Sequence, residues 1–273
     1  MMVRALTPAD VPGGLRLKDA AGWNQTEADW RNVLALAPEG CFGIDSNGAL
    51  RATTTAVCHG RELAWIGMVL TDPEYRGRGF ARKLMEHALA YLLARRVGWI
   101  KLDATGMGLP LYERLGFRAE GPIERWLRTP RRAPGGGSSA CPFRLDAELD
   151  REAFGADRSA LLDLLAGIES ASIARAGFAM GRPGSRAAFF GPCVARSADA
   201  ARELAGWFFA RHEEENVYWD ILPANEDAVA MAREFGFERS RELVRMAFVG
   251  AENPRPLANN DALVFATAGF EFG

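Results

Sequence analysis

Between two patterned stretches the chain reads Val69-Leu70-Thr71-Asp72-Pro73-Glu74-Tyr75-Arg76-Gly77-Arg78-Gly79-Phe80-Ala81. A strand-like apolar run ends here and an amphipathic helical pattern begins, so the segment sits at a strand-to-helix junction. The first turn of a helix carries N–H groups with no partner inside the helix, and the helix dipole is positive at that end. Such a junction suits a pyrophosphate. Gly77 and Gly79 put no side chain between backbone and ligand and accept positive φ. Arg76 and Arg78 add positive charge. The spacing is neither Gly-x-x-x-x-Gly-Lys-Ser/Thr nor Gly-x-Gly-x-x-Gly, which argues against a nucleotide-hydrolysing loop and weakens a dinucleotide site. The plain alternative is a surface turn with incidental arginines.

The elements around this turn follow from periodicity. Ala49 to His59 and Glu62 to Leu70 are strand-like runs joined by His59-Gly60-Arg61, a hairpin signal. Gly79 to Arg96 places Ala81, Leu84, Met85, Ala88, Leu89 and Leu92 on one helical face. Trp99 to Ala104 is a short strand, Leu109 to Leu115 a short helix stopped by Gly116, and Phe117 opens another strand. After Thr129 to Ala140, crowded with Pro, Gly and Ser, the order is replayed. Gly177 to Arg182 and Ala187 to Ala195 flank Pro183-Gly184. Ser197 to His212 is helix-like, Val217 to Leu222 is a strand, and Asn225 caps a helix to Phe235. Gly236-Phe237 then repeats Gly116-Phe117, which points to an internal duplication. The 273 residues therefore read as two mixed α/β units, residues 1–128 and 143–273, joined by a linker at 129–142.

Arg76-Gly77-Arg78-Gly79-Phe80-Ala81 fits the Arg/Gln-x-x-Gly-x-Gly/Ala signature of the GNAT superfamily of N-acetyltransferases, and Asp72-Pro73-Glu74-Tyr75 looks like that family too. Leu111-Tyr112-Glu113-Arg114-Leu115-Gly116-Phe117 resembles its Leu-Tyr-x-x-x-Gly-Phe element at the expected distance. The Trp23-Asn24-Gln25 and Asp29-Trp30 cluster, with Gly108 to Tyr112, is similar to a bacterial subgroup of two tandem GNAT-like units. The resemblance implies two tandem GNAT-like mixed-sheet domains, the second degenerate, and acetyl-CoA as co-substrate. It implies direct attack of a neutral amine on the thioester in a ternary complex. Val69, Leu70 and Thr71 would then offer backbone groups to the pantetheine arm, and Arg76, Gly77, Arg78, Gly79, Phe80 and Ala81 would hold the pyrophosphate.

Tyr112 is the candidate general acid for the leaving thiolate. A phenol near 10 and a thiol near 8.5 leave full proton transfer uphill by about 2 kcal/mol. The alternative is that Tyr112 packs as an apolar rung of its helix. Asp103 is a candidate base, although Asp220 in the corresponding second-half strand argues for a structural Asp. Asn24 and Gln25, between Trp23 and Trp30, either line an acceptor pocket or cap a helix entry. In the second half Arg196-Ser197-Ala198-Asp199-Ala200-Ala201 has no glycine pair, and Ala232 stands where Tyr112 would. The second unit is therefore expected to bind no acetyl-CoA and to serve as an acceptor-binding or structural partner. The family's usual Asn is matched only there, by Asn225.

Charge and composition bound the rest. The chain has 33 basic and 35 acidic residues, nineteen and fourteen of them up to Ala140 and fourteen and twenty-one after it. An acidic second half suggests a cationic small-molecule amine as acceptor. A protein or peptide acceptor, or a non-catalytic acyl-CoA sensor, are the competing functions. Cys41, Cys58, Cys141 and Cys193 show no Cys-x-x-Cys, and the three histidines are isolated, so no metal is expected. The arginines are dispersed and no nucleic-acid-binding motif is present. No apolar run reaches the ~20 residues of a membrane span. Residues Met1 to Pro8 lack an apolar signal-peptide core, so a cytoplasmic location with no membrane partner is expected.

Overall fold

The computed structural model describes residues 2–133, 143–250 and 254–273. Most of the expected linker, with Cys141, lies outside the described residues. The chain forms two compact units that are interleaved in sequence. The first comprises Met1–Glu120, Met246–Pro256 and Glu271–Gly273; the second comprises Gly121–Arg245 and Leu257–Phe270.

In the first unit, β1 (Val3–Ala5), α1 (Val11–Ala21), α2 (Glu27–Leu36), β2 (Cys41–Ser46), β3 (Ala49–His59) and β4 (Leu63–Thr71) come before the glycine turn. After it come α3 (Phe80–Ala94), β5 (Trp99–Ala104), α4 (Leu109–Arg114) and the start of β6 (Arg118–Arg128). The strand order is β1-β2-β3-β4-β5, antiparallel up to β4 and parallel between β4 and β5. α3 forms where the apolar period demanded it, with Leu84, Met85, Ala88, Leu89 and Leu92 buried. α2 is the helix entered after Trp23, and its cap is Thr26, neither Asn24 nor Gln25. Thr26 and Asp29 start it with a reciprocal capping box, Asp29 accepting from the Thr26 N–H at 2.7 Å.

In the second unit α5 (Ala147–Phe154), α6 (Ser159–Ala166), β7 (Glu169–Ile173), β8 (Gly177–Arg182) and β9 (Ala188–Ala195) lead into α7 (Ala198–Phe209). β10 (Val217–Ile221), α8 (Glu226–Glu234), β11 (Glu238–Val249) and β12 (Val264–Ala266) follow, with the last residues of β11 belonging to the first unit. The order is β6-β10-β9-β8-β7, with β9 and β10 parallel and β12 antiparallel to β9. One face of this sheet is aromatic. Phe190, Phe208, Phe209, Trp219, Phe235 and Phe237 form a buried cluster, with Phe209 between 4.9 and 5.5 Å from Phe190, Trp219, Phe235 and Phe237. Edge-to-face and tilted pairs of this kind add to simple area burial. The expected order of hairpin, helix, strand, helix and strand occurs twice along the chain.

Among the described residues no helix is long and apolar enough to cross a membrane, and no group of three or more His, Cys, Asp or Glu is placed to hold a metal ion.

His212 lies in the loop between α7 and β10 and links two carboxylates. Its Nδ1 is 2.7 Å from Glu215 and its Nε2 2.8 Å from Glu169, and the ring stacks on Phe208 at 4.1 Å. Burial pulls its pKa down, but the two carboxylates outweigh that and raise it above the ordinary histidine value. A folded-state pKa above the unfolded one gives stability that is full below about pH 6.5 and fades as pH rises through the folded value. The stability gap between wild type and His212→Gln should therefore be widest near pH 6 and narrow toward pH 9 in thermal melts. A constant gap across that range would contradict the pairing.

Candidate active site

The glycine turn is held from below by two side chains. Asp72 is buried, accepts from Arg51 Nη1 at 2.8 Å and Arg16 Nη1 at 3.0 Å, and caps the following single turn by accepting from the Glu74 N–H at 3.2 Å. Burial alone would raise its pKa. The bonds from Arg51, Arg16 and the Glu74 N–H prevail and hold it below the usual carboxylate value. Tyr75 is the second anchor. Asn47 donates to its hydroxyl at 3.0 Å, its ring meets Phe80 edge-on at 5.5 Å, and the guanidinium carbons of Arg51 and Arg78 lie 4.6 and 4.8 Å from its centroid. Arg78 is thus drawn onto the turn, and Arg76 stands exposed.

Above these anchors the backbone is bare. Gly77 and Gly79 adopt φ of 74° and 79°, and a methyl group built on either would meet nothing within 4 Å. The glycines are required by conformation and leave open space over the backbone. Gly79 caps α3 without a side-chain acceptor. No group among the described residues accepts a hydrogen bond from the N–H groups of Gly77 to Arg82. Six donors, the positive end of a fifteen-residue helix and two arginines therefore share one exposed turn.

The strand leading into this turn is only half covered. β4 and β5 pair in parallel through Leu63, Ala64 and Trp65 opposite Trp99, Ile100 and Lys101, and the register goes no further. On its other edge β4 carries a bulge: Thr53 opposes Leu70, Thr55 opposes Gly67, and Met68 adopts φ of 47°. Thr53 Oγ1 donates to the Met68 carbonyl at 2.8 Å and locks that conformation. Val69, Leu70 and Thr71 consequently occupy the stretch of β4 that β5 leaves. The Thr71 hydroxyl there is buried without a hydrogen-bond partner among the described residues. Asp103 lies on the facing stretch of β5, half-buried.

Tyr112 is buried in α4, with its ring edge-on to Phe117 at 6.1 Å. A methyl on Gly108 would stand 2.7 Å from Tyr112 Cε2, so the bare glycine makes the ring's seat. Burial drives the phenol far above its ordinary value, and no described residue hydrogen-bonds its hydroxyl. The side chain is apolar in its packing and carries a protonated hydroxyl.

Asn24 and Gln25 are both buried between α1 and α2, and the helix cap is Thr26. Gln25 Nε2 donates to Glu271 Oε2 at 2.9 Å. Glu271 lies directly on β4, since a methyl on Gly67 would be 2.8 Å from its Cα. Gly67, Gly108 and Glu271 were not read from the sequence as site residues.

The corresponding places in the second unit are filled. β9 and β10 also pair in parallel over three residues, Ala188 to Phe190 opposite Val217 to Trp219. Beyond that point β12 enters: Val264 opposes Val194, Ala266 opposes Cys193, and the Thr267 N–H donates to the Asp220 carbonyl at 3.0 Å. Gly191 is bare because the Thr267 carbonyl lies against it. Ser197 caps α7 by accepting from the Ala200 N–H at 3.3 Å, with no glycine cradle before it. Asn225 caps α8 and donates to the carbonyls of Ala262 and Val264 at 3.1 and 3.0 Å. Asp220 is fully buried in a two-pronged pair with Arg125, at 2.7 and 2.6 Å.

Two models of the acetyltransferase (GNAT) domain match the chain, over residues 37–119 and 147–261. The uncharacterized N-acetyltransferase YitH of Bacillus subtilis is 28% identical over 221 residues, 71% of this chain and 73% of that protein. A putative acetyltransferase from Pyrococcus horikoshii superposes with a TM-score of 0.87 at 20% identity, covering 100% of this chain and 95% of its own. A tandem GNAT protein from the clavulanic acid biosynthesis pathway superposes with a TM-score of 0.64 at 16% identity, covering 92% and 99%. These structural likenesses concern the fold.

The geometry of the turn makes Asp72 its main support. Asp72→Ala should weaken acetyl-CoA binding about tenfold, the scale of one or two charge-assisted hydrogen bonds. Glu74→Ala, whose side chain is exposed, should leave it unchanged. Calorimetric titration compares the two, and an unaltered affinity in Asp72→Ala would show that the turn holds its shape without it.

Proposed function

Because the chain belongs to the GNAT family of acetyltransferases, we propose that it moves an acetyl group from acetyl-CoA to the primary amine of a small molecule, by direct attack in a ternary complex at the first unit. The observation that carries this reading is the exposed row of unpaired N–H groups from Gly77 to Arg82, set beside the uncovered end of β4. These residues fit the co-substrate: the open glycines admit a pyrophosphate to the backbone, and Val69 to Thr71 present main chain to an extended arm. Acetyl-CoA, when bound, supplies an activated thioester carbonyl.

The chain's own residues then have three tasks. Arg76 and Arg78 with the turn amides orient the anionic end of the co-substrate. Tyr112 donates to the departing sulfur. With its phenol raised by burial, complete proton transfer is less favourable than for a free tyrosine, so it acts as a hydrogen-bond donor to developing negative charge. Asp103, on β5 at the same opening, is the candidate acceptor of the amine proton, directly or through water. Asn24 and Gln25 are the candidate acceptor-binding residues.

The second unit binds no acetyl-CoA in this reading, because β12 fills the opening between β9 and β10 and Ser197 replaces the cradle. Its role is acceptor-binding or structural, and its acidity favours a cationic amine. No nucleic acid and no membrane take part.

Thiol release over an amine panel tests the reading. Tyr112→Phe should lower turnover about 10²-fold, the lower end for acid catalysis, with the KM for acetyl-CoA unchanged. Wild-type turnover should show no loss up to pH 9 from ionisation of this phenol. Unchanged turnover in the Phe variant would remove Tyr112 from the chemistry.

A further inference from the structure

Gln25 is 6% exposed, and its two amide atoms have unequal surroundings. Nε2 donates to the Glu271 carboxylate at 2.9 Å, whereas Oε1 is buried with no donor among the described residues. Turning the amide over would set its oxygen against a carboxylate oxygen, two acceptors face to face, so the bond to Glu271 decides which way the amide points. A buried acceptor with no donor costs free energy until one arrives. A primary amine brings N–H donors.

The location of this acceptor matters too. Glu271 lies on β4 at Gly67, two residues past the last β4–β5 pair at Trp65 and one before the bulge at Met68. A side chain at 67 would push Glu271 away, and Gly273 packs on the Trp65 ring along the same strand. The amide of Gln25 is therefore tied, through the Glu271 carboxylate, to a residue whose backbone packs on β4 two positions before Val69.

On the function proposed above, we infer that Gln25 Oε1 accepts an N–H of the incoming amine, and that Glu271 is a positioning residue that fixes the Gln25 amide in that orientation. The bond from the amine leaves its lone pair free for the carbonyl and discriminates against acceptors without a donor at that atom.

The test measures KM for both substrates and kcat by thiol release, with spermidine, tyramine, lysine amide and glucosamine 6-phosphate as amines. Gln25→Leu should raise the KM of the accepted amine ~10-fold, the scale of one lost hydrogen bond, and leave the KM of acetyl-CoA unchanged. Glu271→Ala should give a similar split, Glu271→Gln a smaller one because its oxygen still accepts from Nε2, and Glu271→Ala should add nothing to the amine KM in a Gln25→Leu background. An amine KM that does not move in Gln25→Leu, or Glu271→Ala and Gln25→Leu effects that multiply, would overturn this inference and leave the acetyltransfer reading standing. A wild-type protein that acetylates none of these amines would overturn both.

Discussion

A strand that loses its neighbour halfway along must satisfy its exposed N–H and C=O groups in some other way. Both units of this protein contain such a strand. β4 parts from β5 after three residue pairs, and β9 parts from β10 after three. The two units differ in how each opening is treated. In the second unit, β12 pairs with β9 and the next residue bonds to β10, so the chain's own backbone supplies the missing partners. In the first, the bulge at Met68 and the bond from Thr53 hold β4 in its bent course, and the stretch from Val69 to Thr71 has no pair on β5.

The turn beyond β4 extends the same logic. Its donors stay unpaired because the residues that shape it, Asp72 and Tyr75, act from beneath. Two positive-φ glycines give the backbone a curve that a side chain at either position would strain, and they add no atoms above it. At the corresponding junction Ser197 caps its helix with its own hydroxyl, so α7 needs no ligand at that end. Two units of one fold thus treat the same opening differently, the second pairing it with its own backbone and the first leaving it unpaired.

Much of this was written locally. The glycine pair at 77 and 79, the helix face from Leu84 to Leu92 and the Leu-Tyr-x-x-x-Gly-Phe element each announce themselves within a few residues, and the structure places them as read. Other features were illegible for physical reasons. Positive φ at Met68 carries no compositional mark, because its cause is a hydroxyl on a neighbouring strand. Glu271 meets Gln25 across 246 positions, and no periodicity links them. β12 is three residues long and shows no alternation of its own. The short strand matters only through what it covers. The interleaving of the units was equally hidden, since Gly121–Arg128 reads as the end of the first half and packs with the second unit.

The central claim is that only one of the two openings accepts acetyl-CoA. Calorimetric titration of the full chain with acetyl-CoA measures that directly. The account predicts a stoichiometry of one per chain, abolished by bulky substitution at Gly77 and Gly79 and untouched by Ser197→Ala. Two equivalents per chain, or one that survives the glycine substitutions, would contradict it.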